Sequence, residues 1–459
     1  MIEDLIRSIV KRDDVDYLEI RVEKGEKTGV EIKGRSIETL KRGRFFGGNA
    51  RVLVGGVWGF VYFNSLEEIR RKVEDAISQA KTLKGLVKEK ATLASVDVIE
   101  VKFKPRVIKH PEDVSLEEKV KTLMGYNDIF FSAGKEIVGT FIRYHDTVKK
   151  VYFANSQGSY VEQDVIDIGS TMIAIASNGK ETQRSKVGFG SSNDISVMFG
   201  LEEEIKEKAK LAIELLNAKE IQGGNFPVVI DQELGGVFIH EAFGHLSEGD
   251  NIYENENLKK IMKIGKVFGS EELNVFDTGD MEGKRGFVMY DSEGVKTKKV
   301  YLIKNGILNG RLHSRETAGK MKEEATGNGR ALSYNFPPIP RMRITCIENG
   351  KVDFPDLIKD VKFGVYAKGA FGGQTNGELF TFVPEVSYII RDGKISEMVK
   401  NISLSGNVFT TLKNIVGIGN DFEIHDSGGG CGKGNQYPLP VSHGSPHILI
   451  SNALVGGKG

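Results

Sequence analysis

The chain reads as an α+β protein, with a mixed helix/sheet N-terminal region and a β-rich C-terminal domain. Three observations predict this. Two helix-start signals, Ser65-Leu66-Glu67-Glu68 and Ser115-Leu116-Glu117-Glu118, alternate with period-two runs through the first 220 residues. Beyond about Lys322 only a stretch near Leu412 carries a helical pattern. Glycine is abundant, 55 of 459 residues, and follows no collagen-like repeat, which suits many tight turns between strands. The length exceeds what one simple core fills. The expected division is 1–95, 96–220 and 221–459.

In chain order, residues 1 to about 14 form a short amphipathic helix with Ile2, Leu5, Ile6 and Ile9 on one side. Alternating runs follow at Tyr17–Val22, Val30–Ile32 and Ile37–Leu40. Asn49–Val54, Gly55-Gly56 and Val57–Tyr62 give a hairpin with a glycine turn, in which Trp58 packs. A helix starts at Ser65 and runs to about Leu83, and a linker with one strand spans Lys84–Pro111. The second capping box opens another helix, followed by strands at Gly139–Tyr144, Lys149–Ala154 and Tyr160 to about Ser177, then an amphipathic helix from Leu201 to about Ala218. Phe226–Ile230 is a short buried strand, and Asp231 caps a helix from Gln232 to Gly244. A polar, exposed run reaches about Lys263. Strands are then expected at Phe287–Tyr290, Lys298–Ile303 and Ile307-Leu308, with an Asp-Gly hairpin through Tyr388–Ile395.

Charge excludes several function classes. Lysine plus arginine equals aspartate plus glutamate, 63 each, so no basic excess supplies a nucleic-acid footprint. No apolar run is long enough to span a membrane. The start, Met1-Ile2-Glu3-Asp4, places acid where a signal peptide needs basic residues. The expectation is a soluble cytoplasmic protein. Two cysteines make no disulfide framework.

The chemistry centres on Phe238-Ile239-His240-Glu241-Ala242-Phe243-Gly244-His245. A glutamate between two histidines is the vocabulary of a zinc peptidase, but the usual spacing sets the histidines one turn apart. Here they are five apart, which on a regular helix separates them by about 140°. Both can meet one metal only if the helix opens into a π-like turn, or ends near Gly244 so that His245 swings back; glycine would permit such a departure.

A third ligand comes from Cys431. It lies in Ser427-Gly428-Gly429-Gly430-Cys431-Gly432-Lys433-Gly434, where five glycines leave it no side-chain packing and Lys433 favours a thiolate. Two imidazoles and a thiolate leave a fourth position open, the His₂Cys pattern of a catalytic zinc site. Cys346, in an alternating strand, reads as a core residue. Competing readings make Cys431 a nucleophile with His425 or His443 as base, or make the zinc structural, closed by Cys346, His425 or His443. Glu248 and Asp250 either orient the histidines or are loop acids. Tyr334 or Asn335 is a candidate oxyanion donor. His313 reads as the start of a helix, and His443 and His447 stay outside the metal shell.

His240-Glu241-Ala242-Phe243-Gly244-His245 together with Cys431-Gly432-Lys433-Gly434-Asn435-Gln436, Pro440 and Gly444 resembles the TldD branch of the TldD/PmbA (TldE) metalloproteases. Gly329–Tyr334, Ile339–Met342, Val365–Gly369, Gly372-Gly373-Gln374 and the Arg51–Phe60 hairpin are similar to further segments of that family, so the likeness covers nearly the whole chain. Tyr437–His443 departs from its pattern. The resemblance implies a β-rich C-terminal metallopeptidase domain and a peptidase acting on unfolded or extended peptides. It implies Zn²⁺ on His240, His245 and Cys431, and Glu241 as the catalytic carboxylate. The implied assembly is a heterodimer with a TldE/PmbA-like subunit, or a homodimer. A structural-zinc scaffold, or a binding subunit without catalysis of its own, is the alternative.

Overall fold

The computed structural model describes residues 2–457. Strands β1 (Tyr17–Lys33), β2 (Ser36–Val54), β3 (Val57–Phe63), β4 (Glu100–Phe103), β5 (Ile137–Asn155), β6 (Tyr160–Ser177) and β7 (Thr182–Ser191) form one seven-stranded sheet, ordered β3-β2-β1-β5-β6-β4, with β7 also paired to β6. Strands from 1–95 and from 96–220 therefore share a sheet. The helices divide into two groups on it. The first helix and Ile69–Leu83 pack at one end with Leu18, Ile20 and Val22; Leu116–Ser132 and Glu202–Asn217 pack at the other with Val30 and Ile32.

This explains why β1 is longer than its apolar pattern suggests. Leu18, Ile20, Val22, Val30 and Ile32 lie on one face, by the period of two. Between them, where the two helical groups part, that face carries Lys24 and Glu26. The apolar signal lapses there while the backbone pairing continues, from Tyr17↔Leu53 to Lys33↔Ser36. The opposite face is polar yet buried at Glu19, Arg21 and Glu23. It packs on the C-terminal domain: Arg51 pairs with Glu293 at 2.6 Å, Gln163 donates to the Tyr290 carbonyl at 2.8 Å and Asn49 to the Tyr334 carbonyl at 2.8 Å.

The C-terminal region holds two larger sheets. In the nine-stranded one, β8 (Gly224–Ile230) lies between Phe363–Lys368, parallel to it, and Ile448–Gly456, antiparallel. The Gly372–Asn376 strand ends this sheet, so its outer edge is unpaired among the described residues. The six-stranded sheet includes Ile344–Ile347 and Ser442–Ser445. The helix Gln232–Ile239 lies against both sheets, over one large apolar cluster.

Three expectations change. Phe287–Tyr290 forms no strand, only an isolated bridge at Tyr290, because its amides are taken one by one, Phe287 by the Lys284 carbonyl, Val288 by the Gly279 carbonyl and Tyr290 by the Gln163 side chain. The run after Asp250 forms two short helices, Gly249–Tyr253 and Glu256–Ile261, which bury Ile252 and Leu258; the Asn255 side chain caps the second. A short helix at Phe354–Ile358 also went unsignalled.

Candidate metal centre

The mount for the site is the strand-to-helix junction at Asp231. Its carboxylate accepts from the Leu234 amide at 2.9 Å, capping the helix, and from the Gly369 amide at 2.9 Å, tying the junction to the neighbouring strand's end. Gly235 and Gly236 let this helix lie flush on Ser442–Ser445: a Cβ at Gly236 would stand 2.6 Å from the His443 ring.

The helix then opens. Residues His240–Gly244 form a π-turn in which the His245 amide bonds the His240 carbonyl, five residues back. A five-residue spacing thereby becomes one turn, and the imidazole centroids stand 5.4 Å apart. Gly244 is not there for backbone freedom, since its torsions are ordinary right-handed helix. It is there for space: a Cβ would collide with Met342 Sδ.

Cys431 arrives from a two-stranded ribbon, Cys431–Lys433 with Gln436–Leu439. Donor atoms of His240, His245 and Cys431 all lie within 4.8 Å of one another, and Cys431 Sγ is 3.3 Å from His245 Nε2. Ligands on a tetrahedral zinc at ordinary bond lengths stand about 3.5 Å apart, so this donor set fits the ion. His240 Nδ1 is buried without a hydrogen-bond partner among the described residues. Among the described residues no fourth His, Cys, Asp or Glu joins the cluster. Cys346 sits in a separate apolar cluster, where burial pushes its thiol well above the ordinary range.

Charge arranges the donors for binding. Burial disfavours the Cys431 thiolate, but the His240 and His245 imidazoles outweigh it and bring Cys431 down to about 4. His245 Nδ1 meets Glu248 at 3.1 Å, which leaves Nε2 facing the sulfur. Glu248 is fully buried; burial opposes its charge, yet His245 and Lys433 hold it at about 2. Lys433 binds Glu248 at 2.9 Å and Asp250 at 2.6 Å. Lys433 therefore works on His245 through Glu248 rather than directly on the thiolate, and of the two acids only Glu248 touches a histidine of the cluster. Two buried arginines, unmarked in the sequence, fix the cysteine loop. Arg341 donates to the Cys431 carbonyl at 2.8 Å. Arg285 donates to the carbonyls of Ser427 and Gly429, and at 2.7 Å to Asp167 on β6.

Glu241 is partly exposed, with Oε2 3.9 Å from His245 Nε2. It lines two cavities. One, of about 450 Å³, also has His240, Cys431, His425 and His443 in its wall; the other, of about 800 Å³, has His245. The Gly372–Asn376 strand borders both. Neither His425 nor His443 hydrogen-bonds to Cys431; the His443 Nε2 has no hydrogen-bond partner among the described residues and burial pushes that ring down to about 3. Tyr334 donates to Asn64 at 2.9 Å and packs over Gly47 of β2, so the N-terminal sheet holds it, and neither it nor Asn335 lines either cavity. His313 precedes the N-cap Ser314 and bonds Thr317 and Glu323, and His447 bonds Asp421 and Tyr366.

Comparison with known proteins agrees with this architecture. Models of the PmbA/TldA metallopeptidase domain 1, central domain and C-terminal domain match residues 18–80, 109–218 and 223–457. A metalloprotease of Synechocystis sp. is 40% identical over 447 residues, covering 97% of this chain and 96% of its own. A zinc metalloprotease TldD homolog of Saccharolobus solfataricus is 29% identical over 416 residues, 90% of each chain. Among solved structures, TldE from Thermococcus kodakarensis superposes with a TM-score of 0.76 at 18% identity, over 99% of this chain and 100% of that one, which shows the shared fold. With matching models along all three regions and relatives aligned nearly end to end, the chain belongs to the PmbA/TldD metallopeptidase family.

Proposed function

We propose that the chain is a zinc peptidase of the TldD branch, acting on unfolded or extended peptides. The observation that carries this reading is the convergence of His240, His245 and Cys431 beside Glu241, where two cavities adjoin. A zinc ion on those three residues would supply Lewis acidity, polarising the scissile carbonyl and acidifying water. Glu241 takes the proton from the attacking water and passes it to the leaving amine. Glu248 holds His245 in the tautomer that presents Nε2. The unpaired edge of Gly372–Asn376 suits an extended chain, since backbone hydrogen bonds give affinity without choosing side chains. A folded substrate has no such free strand to offer. The partner is a TldE/PmbA-like subunit or a second copy of the chain.

Zinc content and peptide cleavage of wild type, Cys431→Ala and Glu241→Ala, each with and without a TldE/PmbA-like partner, test the reading. The expected result is zinc lost with Cys431, and cleavage lost with zinc retained in Glu241→Ala, a fall of about two to four orders of magnitude. Full cleavage by Glu241→Ala would end the general-base role.

A further inference from the structure

Between the polar face of the N-terminal sheet and the C-terminal domain lies a cavity of about 420 Å³ that shares no lining residue with the two cavities at Glu241. Its size is that of a small-molecule site. The alternation of β5 and β6 places Lys149, Val151, Val165 and Asp167 on one wall. Phe287, Leu332 and Leu439 form an apolar wall opposite.

The charges around it do not balance. Arg285 is committed to Asp167, and Arg343 lies beside Asp277 and Asp291. That leaves Arg21, Lys27, Lys149 and Arg330 in the wall. Among the described residues one carboxylate forms ion pairs with these four, Glu23, which binds Arg21 at 2.5 Å and Lys149 at 2.9 Å, while Asp277 lies near Arg330 without bonding to it and is taken up by Asn328, Thr345 and the Arg343 amide. Arg21 is 6% exposed, and among the described residues its Nε and Nη1 have no hydrogen-bond partner. Arg330 is 7% exposed and donates to the carbonyls of Met342 and Pro440, and no carboxylate among the described residues is bonded to it. Burial, with Arg343 and Arg341 nearby, pushes its guanidinium well below the ordinary range. A buried, under-compensated positive charge is costly unless an anion meets it.

We propose that this cavity binds a small organic anion, with a carboxylate or phosphate head against Arg21, Lys149 and Arg330 and an apolar body between Val165 and Leu439. The site reaches the candidate metal centre mechanically, because Leu439 pairs in register with Cys431 and Arg330 holds the Pro440 carbonyl beside it. Binding of the anion does not depend on the peptidase reading.

Calorimetric titration of the full chain with naphthalene-2-carboxylate, 2-naphthyl phosphate and the neutral naphthalene-2-carboxamide tests this. One anion should bind per chain, the carboxamide at least about tenfold more weakly, and the tighter of the two anions identifies the head group. Lys149→Gln should weaken the anion about tenfold, and Val165→Trp, which fills the cavity from its half-buried wall, should abolish binding while circular dichroism stays native. In metal-free protein the bound anion should slow alkylation of Cys431 by iodoacetamide. No binding of either anion at millimolar concentration would overturn the proposal. So would equal binding of the carboxamide, or undiminished binding to Val165→Trp. An unchanged alkylation rate would sever the link to Cys431 alone.

Discussion

Two cysteines in one chain have opposite chemistry, and their neighbours decide it. Burial acts on both in the same direction, towards the neutral thiol. Cys346 lies in an apolar cluster and rises; Cys431 has His240 and His245 against it and falls to about 4. The sequence carried part of this contrast, since five glycines around Cys431 offered no packing, while the alternating strand around Cys346 did. It offered Glu248, three residues from His245, as a support for the imidazole, but not Lys433 behind Glu248, because those two residues are 185 positions apart. The pH dependence follows in sign. Cys431 lies below its ordinary 9.0, so its contribution to the stability of metal-free protein is complete above 9.0 and is lost as pH falls through about 4. His245 is raised above 6.5, so its contribution is complete below 6.5 and is lost as pH rises through its folded value. The pair is therefore strongest between those limits. In metal-free protein the thiolate absorbance that vanishes in Cys431→Ala should titrate near 4; a midpoint at or above neutrality would mean that the imidazoles do not hold the thiolate.

At the scale of elements, the spacing in His240-Glu241-Ala242-Phe243-Gly244-His245 is the most legible feature, because two histidines five positions apart can share one side only on an irregular turn, and the helix does open at that place. Gly244 suggests backbone freedom in the sequence and serves for its size, a distinction that depends on Met342, about a hundred residues away. The long strands are only partly legible for a related reason: apolar periodicity reports the helix-covered face, and it lapses at Lys24 and Glu26, between the two helical groups. The glycine loop before Cys431 owes its shape to another region altogether. Arg285 clamps two of its carbonyls, the Gly428 amide donates to the Ser170 carbonyl, and Asp167 holds the Arg285 guanidinium. Asp167 is partly buried, which opposes its charge, but Arg285 and His145 outweigh that cost and keep it well below the ordinary carboxylate range. Asp167→Asn removes the charge while keeping the shape. It should weaken zinc binding about tenfold, the scale on which supports of metal ligands act, with the cobalt-substituted spectrum broadened. Zinc affinity equal to wild type would show that the loop holds its shape without the sheet.

Across the whole molecule the N-terminal sheet is a middle layer, with helices on its apolar face and the C-terminal domain on its polar one. The seam is held by ion pairs and side-chain-to-backbone bonds rather than by an apolar core, so its strength is concentrated in few residues. Arg51 is one of these. It is 6% exposed and binds Glu19 at 2.9 Å on its own sheet and Glu293 at 2.6 Å across the seam, with its guanidinium 4.1 Å from the centre of the Trp58 ring. Glu293 in turn accepts from the Arg315 amide at 2.7 Å. Truncating one member of a buried ion pair leaves the other charged and unpaired, which costs about 3–5 kcal/mol. Here Arg51→Ala strands two carboxylates at once, Glu19 and Glu293, so the loss should reach the upper part of that range. Arg51→Lys should recover only part of it, because one ammonium cannot span both acids as the guanidinium does. Urea unfolding followed by Trp58 fluorescence and by far-ultraviolet circular dichroism measures this. If the seam couples the layers, the two probes coincide in wild type and separate in Arg51→Ala, with the Trp58 transition moving first. Coincident transitions at an unshifted midpoint would place the coupling elsewhere, on the Asp167–Arg285 clamp, and would make the cysteine loop the main tie between the sheet and the candidate metal centre.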